Sequence, residues 1–253
     1  MCFDHDSRPP IPPIAGGALD AHEVALDAGD GNHFAAYLAR AAEPTGAGIV
    51  IHPDVRGLHA YYEDLALRFA EHGIDAIAFD YFGRTAGIGD RGIAFEYQEH
   101  VPRLTFDGLR ADGIASIDHL RAATGVGRVF TVGFCMGGRV SWLAAASGHG
   151  LAGAIGFYGR PGESRDGLPG PTQLAAQIEA PVLALQAGAD ANITAEDNEA
   201  FDRALTDAGV EHEVVTYDGA PHSFFDRKQE EFVAASEDAW GRVLEFIGRQ
   251  VAR

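Results

Sequence analysis

A cysteine lies in a glycine-rich turn between a strand-like and a helix-like segment. The apolar run Val129–Gly133 leads into Cys135, and Gly133 and Gly137 flank the cysteine. A nucleophile on such a turn needs small neighbours, because its own backbone is strained and adjacent residues pass too close for a Cβ. The turn would also direct a helix N-terminus at the thiol, which favours the thiolate. The pattern indicates a reactive cysteine, with the Met136 amide available to stabilise an oxyanion. A small buried cysteine is the alternative.

An acid and a histidine follow later strand-like runs, in the order nucleophile, acid, histidine. Asp190 comes just after one apolar run, and His222 lies in the loop between the last such run and the final helical segment. We therefore predict that Cys135 attacks an acyl carbon and that His222 transfers its proton and later that of water. Asp190 would fix the tautomer and orientation of the imidazole. Asp218 also precedes His222, and a turn-capping role is open for it.

The segments around these residues alternate between strands and helices. Six near-continuous apolar runs predict strands that are covered on both faces of a parallel sheet: Gly48–Ile51, Ala76–Asp80, Val129–Gly133, Ala154–Tyr158, Val182–Gln186 and Glu213–Tyr217. Two earlier segments, Glu23–Ala28 and Phe34–Arg40, predict an antiparallel hairpin at a sheet edge. The fold class is therefore α/β, with a doubly wound, mostly parallel sheet. Ligands bind beyond the carboxyl ends of strands in such sheets, where the three predicted catalytic residues lie.

Helical spacing predicts helices between the strands. Two stretches, Arg84–Leu104 and Gly159–Gln173, have no period, and we interpret them as excursions over the carboxyl end of the sheet. Residues 21–253 are predicted to form a single domain, preceded by a proline-rich arm over residues 1–20. The arm contains Cys2, Asp4, His5 and Asp6, but no second pair at ligand spacing follows, so no metal site is predicted and the arm is interpreted as a frayed tail.

Composition excludes several function classes. The chain has 253 residues and carries 19 Lys and Arg against 37 Asp and Glu, which gives a formal net charge of −18. Such an acidic surface repels phosphate backbones and anionic lipids, so neither nucleic acid nor a membrane is an expected partner. Only two cysteines occur, which argues against a disulfide framework. The N-terminus lacks the pattern of a secretory signal, and a cytoplasmic location is expected.

The segments G-F-C-M-G-G, G-A-x-D and P-H-S-F-F resemble the dienelactone hydrolase family, which are cysteine hydrolases of the α/β-hydrolase fold. The cysteine is the specific part of the resemblance, since most α/β hydrolases have serine there. The resemblance implies that Cys135, His222 and Asp190 hydrolyse a small-molecule ester or lactone without a metal or organic cofactor. It also implies that Asp54 takes the place of an acid that contacts the nucleophile, and that the Val55 amide is a second oxyanion donor.

The same resemblance is incomplete where family members bind a substrate carboxylate with two arginines. Arg84 takes the place of the first arginine, but Asp226 stands at the second, with Arg227 beside it. An aspartate there would repel a carboxylate unless Arg227 turns inward. Tyr81 and Phe134 are candidates for lining the substrate pocket, with plain core packing as the alternative.

Three functional hypotheses follow from these residues. The first is a dienelactone hydrolase-like enzyme acting on small esters or lactones, and the second is a hydrolase of uncharged or larger esters. The third is a redox-sensing or binding protein of the same fold that uses Cys135 as an oxidisable thiol. Asp190 and His222 argue against the third hypothesis, because a sensor does not need an oriented histidine.

Overall fold

A mixed β-sheet forms the centre of the molecule. The computed structural model describes residues 6–164 and 167–253, and within these residues the sheet has eight strands in the order β1-β2-β4-β3-β5-β6-β7-β8. The strands are β1 (Ala18–Asp27), β2 (His33–Ala41), β3 (Ala47–His52), β4 (Ile74–Phe79), β5 (Arg128–Phe134), β6 (Gly153–Phe157), β7 (Val182–Ala187) and β8 (His212–Tyr217). β1 pairs antiparallel with β2, and β2 pairs antiparallel with β4. The pairs from β4 through β8 are parallel, so the predicted fold class and N-terminal hairpin are confirmed.

Helices cover both faces of the sheet. They are α1 (Ala60–Glu71), α2 (Gly83–Ala86), α3 (Phe106–Thr124), α4 (Met136–Ala145), α5 (Ala195–Asp207) and α6 (Val233–Val251). The Thr194 side chain and the Asp197 side chain form a capping box at the start of α5, which satisfies amides that have no helical acceptor. In the described part of the chain, no helix is both long and apolar enough to span a bilayer.

The alternation of side chains along the strands builds a core on each face. Ile49 and Ile51 of β3 belong to a cluster that includes residues of α1 and α6, whereas Val50 between them belongs to a second cluster with α3. A third cluster joins β7 to Trp142 of α4 and Phe201 of α5. Because β3 to β7 are buried along almost their whole length, their sequences are continuously apolar rather than alternating.

The connection from β6 to β7 contains Gly159–Gln173, which the sequence predicts to be an excursion without helical period. Outside residues 165–166, this connection contains one 3₁₀ turn, Ala175–Gln177. Its prolines remove backbone donors, and its glycines favour turns over helix. The excursion after β4 contains α2 and two further 3₁₀ turns, Tyr97–Glu99 and Val101–Arg103.

The N-terminal arm packs along α1. Arg8 forms an ion pair with Asp64, and the Ile14 amide donates to Glu71 Oε2 at 2.9 Å. Ile11 between them is buried in the α1 and α6 core. The frayed-tail interpretation is therefore wrong for residues 8–17, because an apolar side chain and two polar contacts hold them. Cys2, Asp4 and His5 lie outside the described residues, and the domain boundary at residue 21 stays a prediction.

Candidate active site

Cys135 occupies a sharp turn between β5 and α4. Its backbone has φ 57° and ψ −115°, in a region that residues with a Cβ rarely adopt. The Cys135 amide donates to the Phe157 carbonyl at 3.0 Å, which ties the turn to the end of β6. Cys135 precedes the first residue of α4, so its side chain lies at the positive end of that helix. The thiol is partly exposed.

Two glycines let the turn pack directly against neighbouring backbone. A Cβ on Gly133 would lie 1.9 Å from the Gly137 carbonyl oxygen. A Cβ on Gly137 would lie 2.1 Å from the carbonyl oxygen of His52 and 2.2 Å from that of Pro53. Neither position has room for a side chain, as the sequence pattern predicts. The close approach also places the first turn of α4 against the loop that follows β3.

His222 and Asp190 are joined by a hydrogen bond. His222 Nδ1 lies 2.5 Å from Asp190 Oδ2, and the Asp190 side chain is 1% exposed against 28% for His222. Burial raises the pKa of Asp190, but hydrogen bonds from His222 and from the Asn192 amide outweigh it, so the net pKa is lowered. An ionised Asp190 keeps the proton of a neutral imidazole on Nδ1. Asp218, the alternative acid, is exposed in the turn after β8.

Asp54 lies at the end of β3, fully buried. The hydroxyl oxygen of Tyr62 on α1 accepts a hydrogen bond from the Asp54 amide at 2.9 Å, and Asp54 Oδ1 accepts from the Arg56 amide at 2.8 Å. Burial raises the pKa of the Tyr81 hydroxyl, and the nearby charges of Asp54 and Cys135 add to that rise. Asp54 and Cys135 therefore both lie near Tyr81. Val55 follows Asp54 and is partly exposed.

Two residues considered for substrate contact are buried in the protein. The Tyr81 hydroxyl donates to the Pro53 carbonyl at 2.7 Å and so supports the loop after β3. The Phe134 ring stacks on Phe157 at a centroid distance of 4.8 Å and on Phe225 at 5.9 Å. Both side chains are almost completely inaccessible, so the core-packing alternative describes them.

Arg84 lies in an ion-pair network with two aspartates. Its guanidinium donates to Asp30 at 2.6 and 3.1 Å, to Asp112 at 2.7 and 3.3 Å and to the Gly108 carbonyl at 3.1 Å. Asp112 is buried and also accepts from Asn32. The expectation that Arg84 binds a substrate carboxylate is not supported, because two aspartates already neutralise it.

Asp226 is buried close to the catalytic candidates. Its Oδ2 accepts a hydrogen bond from the Tyr158 hydroxyl at 2.7 Å, and its Oδ1 accepts from the Arg227 amide. Burial raises the pKa of Asp226 to about 8; the charge of Asp54 also raises it, while both hydrogen bonds oppose the rise. Arg227 is exposed, so it does not turn inward to offset this carboxyl.

Backbone strain concentrates in this region. Among the described non-glycine residues, positive φ occurs at Cys135, Tyr158 and Ser223. Tyr158 follows β6, and its ring centroid lies 4.8 Å from that of His222, which Ser223 directly follows. Strained residues persist where the surrounding structure fixes them, and they cluster at functional sites. The described residues hold no group of three or more His, Cys, Asp or Glu arranged for a metal ion.

Comparison with known proteins identifies the family. The sequence profile of the dienelactone hydrolase family matches residues 34–251. The chain belongs to the dienelactone hydrolase family. A carboxymethylenebutenolidase from Rhodococcus opacus is 30% identical over 262 residues, covering 98% of this chain and 97% of the relative. A Salmonella typhi protein provisionally given the same name is 30% identical over 272 residues and covers 98% of each chain.

A solved structure shows the same family fold. A Klebsiella pneumoniae protein provisionally described as a dienelactone hydrolase has 27% identity and a TM-score of 0.73, with 90% of this chain and 99% of that chain covered. The protein is thus a carboxylic ester hydrolase of the dienelactone hydrolase family, with an α/β-hydrolase fold.

Sequence reasoning missed one feature of this dienelactone hydrolase-family site, the contact of Tyr158 with both Asp226 and His222. Asp226 did stand out as an acid where the family resemblance implies an arginine. Nothing in the sequence marks the positive φ of Tyr158, since tyrosine after an apolar strand is equally typical of core packing.

Proposed function

We propose that the protein hydrolyses small esters or lactones through a thioester on Cys135. The Cys135 sulfur bonds to the acyl carbon as its proton passes to His222 Nε2. The ester C–O bond then breaks, and the leaving alkoxide takes that proton. A water molecule next attacks the thioester while His222 accepts its proton. Breaking the C–S bond releases the carboxylic acid and returns a proton to the thiol.

Oxyanion stabilisation is assigned to two backbone amides. Met136 is the first residue of α4, so its amide has no acceptor within the helix. Val55 lies on the loop that packs against that helical turn through Gly137. Amides directed at the developing negative charge stabilise the tetrahedral intermediate. Asp54, buried on the same loop, is assigned as the acid that contacts the nucleophile.

One observation carries the proposal: a cysteine with φ 57° directly precedes a helix at the carboxyl end of the sheet, where a histidine is hydrogen bonded to a buried acid. This arrangement supports a role for His222 as general acid and base, with Cys135 as the nucleophile. It favours hydrolysis over the redox-sensing hypothesis, because an oxidisable thiol needs no tautomer-fixing acid. The cytoplasmic location stays a prediction from cysteine usage and the N-terminal sequence.

Hydrolysis of p-nitrophenyl acetate tests the proposal. We expect turnover that iodoacetamide abolishes, and loss of turnover in Cys135→Ala and His222→Ala, by about 10³-fold or more since each removes an essential partner. Cys2→Ala is the matched control, and it should keep both the activity and the iodoacetamide sensitivity. Wild-type rates in Cys135→Ala would overturn the thiol mechanism. Absent turnover together with rapid peroxide oxidation of Cys135 would favour the sensor.

A further inference from the structure

Tyr158 connects the catalytic histidine to a buried carboxyl. One side of the connection is the ring contact with His222 at 4.8 Å, and the other is the hydrogen bond from the hydroxyl to Asp226 at 2.7 Å. Tyr158 is itself fully buried and held at φ 36°. Tyr158 therefore holds the Asp226 carboxyl in a fixed position, one side chain away from His222. The proposed triad gives this carboxyl no role.

The surroundings of Asp226 contain acids and phenols. Tyr158 after β6, Tyr61 on α1, Asp54 after β3 and His222 on its own loop are the titratable groups that interact with it. Electrostatic interactions are screened weakly where water is excluded. The charge state of Asp226 therefore affects a substrate bound beside His222 more strongly than a surface charge would.

Three arginines that follow β3 or β4 contact other side chains of the protein. Arg84 is neutralised by Asp30 and Asp112, as described above, and Arg91 donates to Asp80 at 2.9 Å. The Arg56 guanidinium lies 5.9 Å from the centre of the Tyr97 ring. A carboxylate in a buried site is costly unless a cation or several donors pair with it.

We infer that Asp226, fixed by Tyr158, makes the cleft select uncharged esters or lactones over those with an anionic acyl group. Asp226 provides no positive charge in either protonation state, and in its ionised state it repels a second carboxylate. This inference rests on the proposed thioester mechanism, since it concerns the substrate of the same site. It assigns Asp226 a role in specificity, with Tyr158 as its positioning residue.

Two substrates of matched shape test the inference: p-nitrophenyl hemisuccinate, which is anionic, and its methyl ester, p-nitrophenyl methyl succinate, which is neutral. We expect kcat/KM to favour the neutral ester by about tenfold or more at pH 7, since like charges and unpaired buried charges oppose binding. Because the pKa of Asp226 is raised to about 8, the ratio should increase further between pH 7 and pH 9. The ionisation of the triad affects both esters and cancels in the ratio.

Asp226→Asn removes the titrating charge with little change of shape. In this variant the ratio should no longer change between pH 7 and pH 9. Asp75→Asn is the matched control, because Asp75 is also buried but lies at the start of β4 and accepts from the Ala41 amide. It should keep the wild-type pH dependence.

The outcomes distinguish a failure of the selectivity inference from a failure of the thioester mechanism. Equal kcat/KM for the two esters, or a ratio that is constant with pH in the wild type, overturns the inference even if Asp226→Asn fails to fold. A pH-dependent ratio that persists unchanged in Asp226→Asn also overturns it. If Cys135→Ala hydrolyses both esters at wild-type rates, the thiol mechanism itself is wrong.

Discussion

At the scale of single residues, the imidazole of His222 can accept a proton at Nε2 only while its own proton stays on Nδ1. The buried carboxylate of Asp190 enforces that tautomer through the 2.5 Å contact. The lowered pKa of Asp190 means that the carboxylate remains ionised until the solution is acidic. The proposed general-base role of His222 therefore depends on Asp190.

Asp190→Asn should reduce kcat by about 10²- to 10⁴-fold with little change in KM, because an amide favours the wrong tautomer. Steady-state kinetics on a neutral ester measures both constants. Asp218→Asn is the control, since Asp218 is exposed and precedes His222 by four residues. An Asp218 variant as impaired as the Asp190 variant would reassign the orienting acid.

At the scale of elements, the turn before α4 and the loop after β3 form one backbone-to-backbone contact. The carbonyl oxygens of His52, the last residue of β3, and of Pro53, the first residue of that loop, lie within 2.2 Å of the place where a Cβ on Gly137 would be. Tyr81 and Tyr62 also hold this loop, through hydrogen bonds with Pro53 and Asp54. These contacts therefore hold Cys135, the proposed nucleophile, close to the loop that carries the proposed oxyanion donor Val55.

Gly137→Ala should lower the free energy of unfolding by about 3 kcal/mol or more, because overpacking against backbone cannot be relieved by side-chain rotation. It should also reduce kcat by displacing the loop. Urea unfolding and ester kinetics measure the two effects. Gly241→Ala on α6, where a Cβ meets open space, should instead stabilise the protein by about 0.5–1 kcal/mol. Similar unfolding energies for the two variants would contradict this packing.

Arg84→Ala should destabilise the protein by about 3 kcal/mol, because it leaves the buried Asp112 without its cation. The change should affect KM for neutral and anionic esters equally. Thermal unfolding and the matched succinate esters measure these two effects. A selective rise in KM for the anionic ester would restore the carboxylate-binding role that the sequence predicts for Arg84.

The sequence predicts the regular elements well because burial on both faces of the sheet makes β3 to β7 continuously apolar. The predicted strand Val182–Gln186 differs from β7 by one residue. The sequence also predicts that Asp190 and His222 meet at the carboxyl end of the sheet, since both follow strands. It could not predict that Arg84 is bound by Asp30, 54 residues away, because such pairs depend on tertiary approach. The contact of Tyr158 with His222 depends on approach between distant loops in the same way.

At the scale of the whole molecule, Asp226 links stability to pH. Its folded pKa of about 8 lies above the ordinary aspartate value, so the folded protein binds more protons than the unfolded chain between these values. The contribution of Asp226 to the free energy of unfolding therefore falls as pH rises from about 4 to about 8, by at most about 1.4 kcal/mol per pH unit.

Asp226→Asn should remove the contribution of Asp226 to the pH dependence of the free energy of unfolding. Urea unfolding between pH 5 and pH 9 should show the variant gaining stability relative to the wild type as pH rises. Asp75→Asn is again a control for the loss of a buried carboxyl, although the pKa of Asp75 is also raised by burial and its variant should show a smaller effect of the same sign. Parallel pH profiles for wild type and Asp226→Asn would contradict the buried-acid interpretation.

The antiparallel hairpin leaves β1 at one edge of the sheet, and among the described residues no further strand pairs with its outer side. Asp20, Glu23 and Asp27 are exposed along this strand. Two copies that joined through β1 would bring these carboxylates together, which disfavours a continuous intermolecular sheet. Removing the three charges together, as in Asp20→Asn, Glu23→Gln and Asp27→Asn, should therefore promote aggregation through this edge even where the fold itself persists.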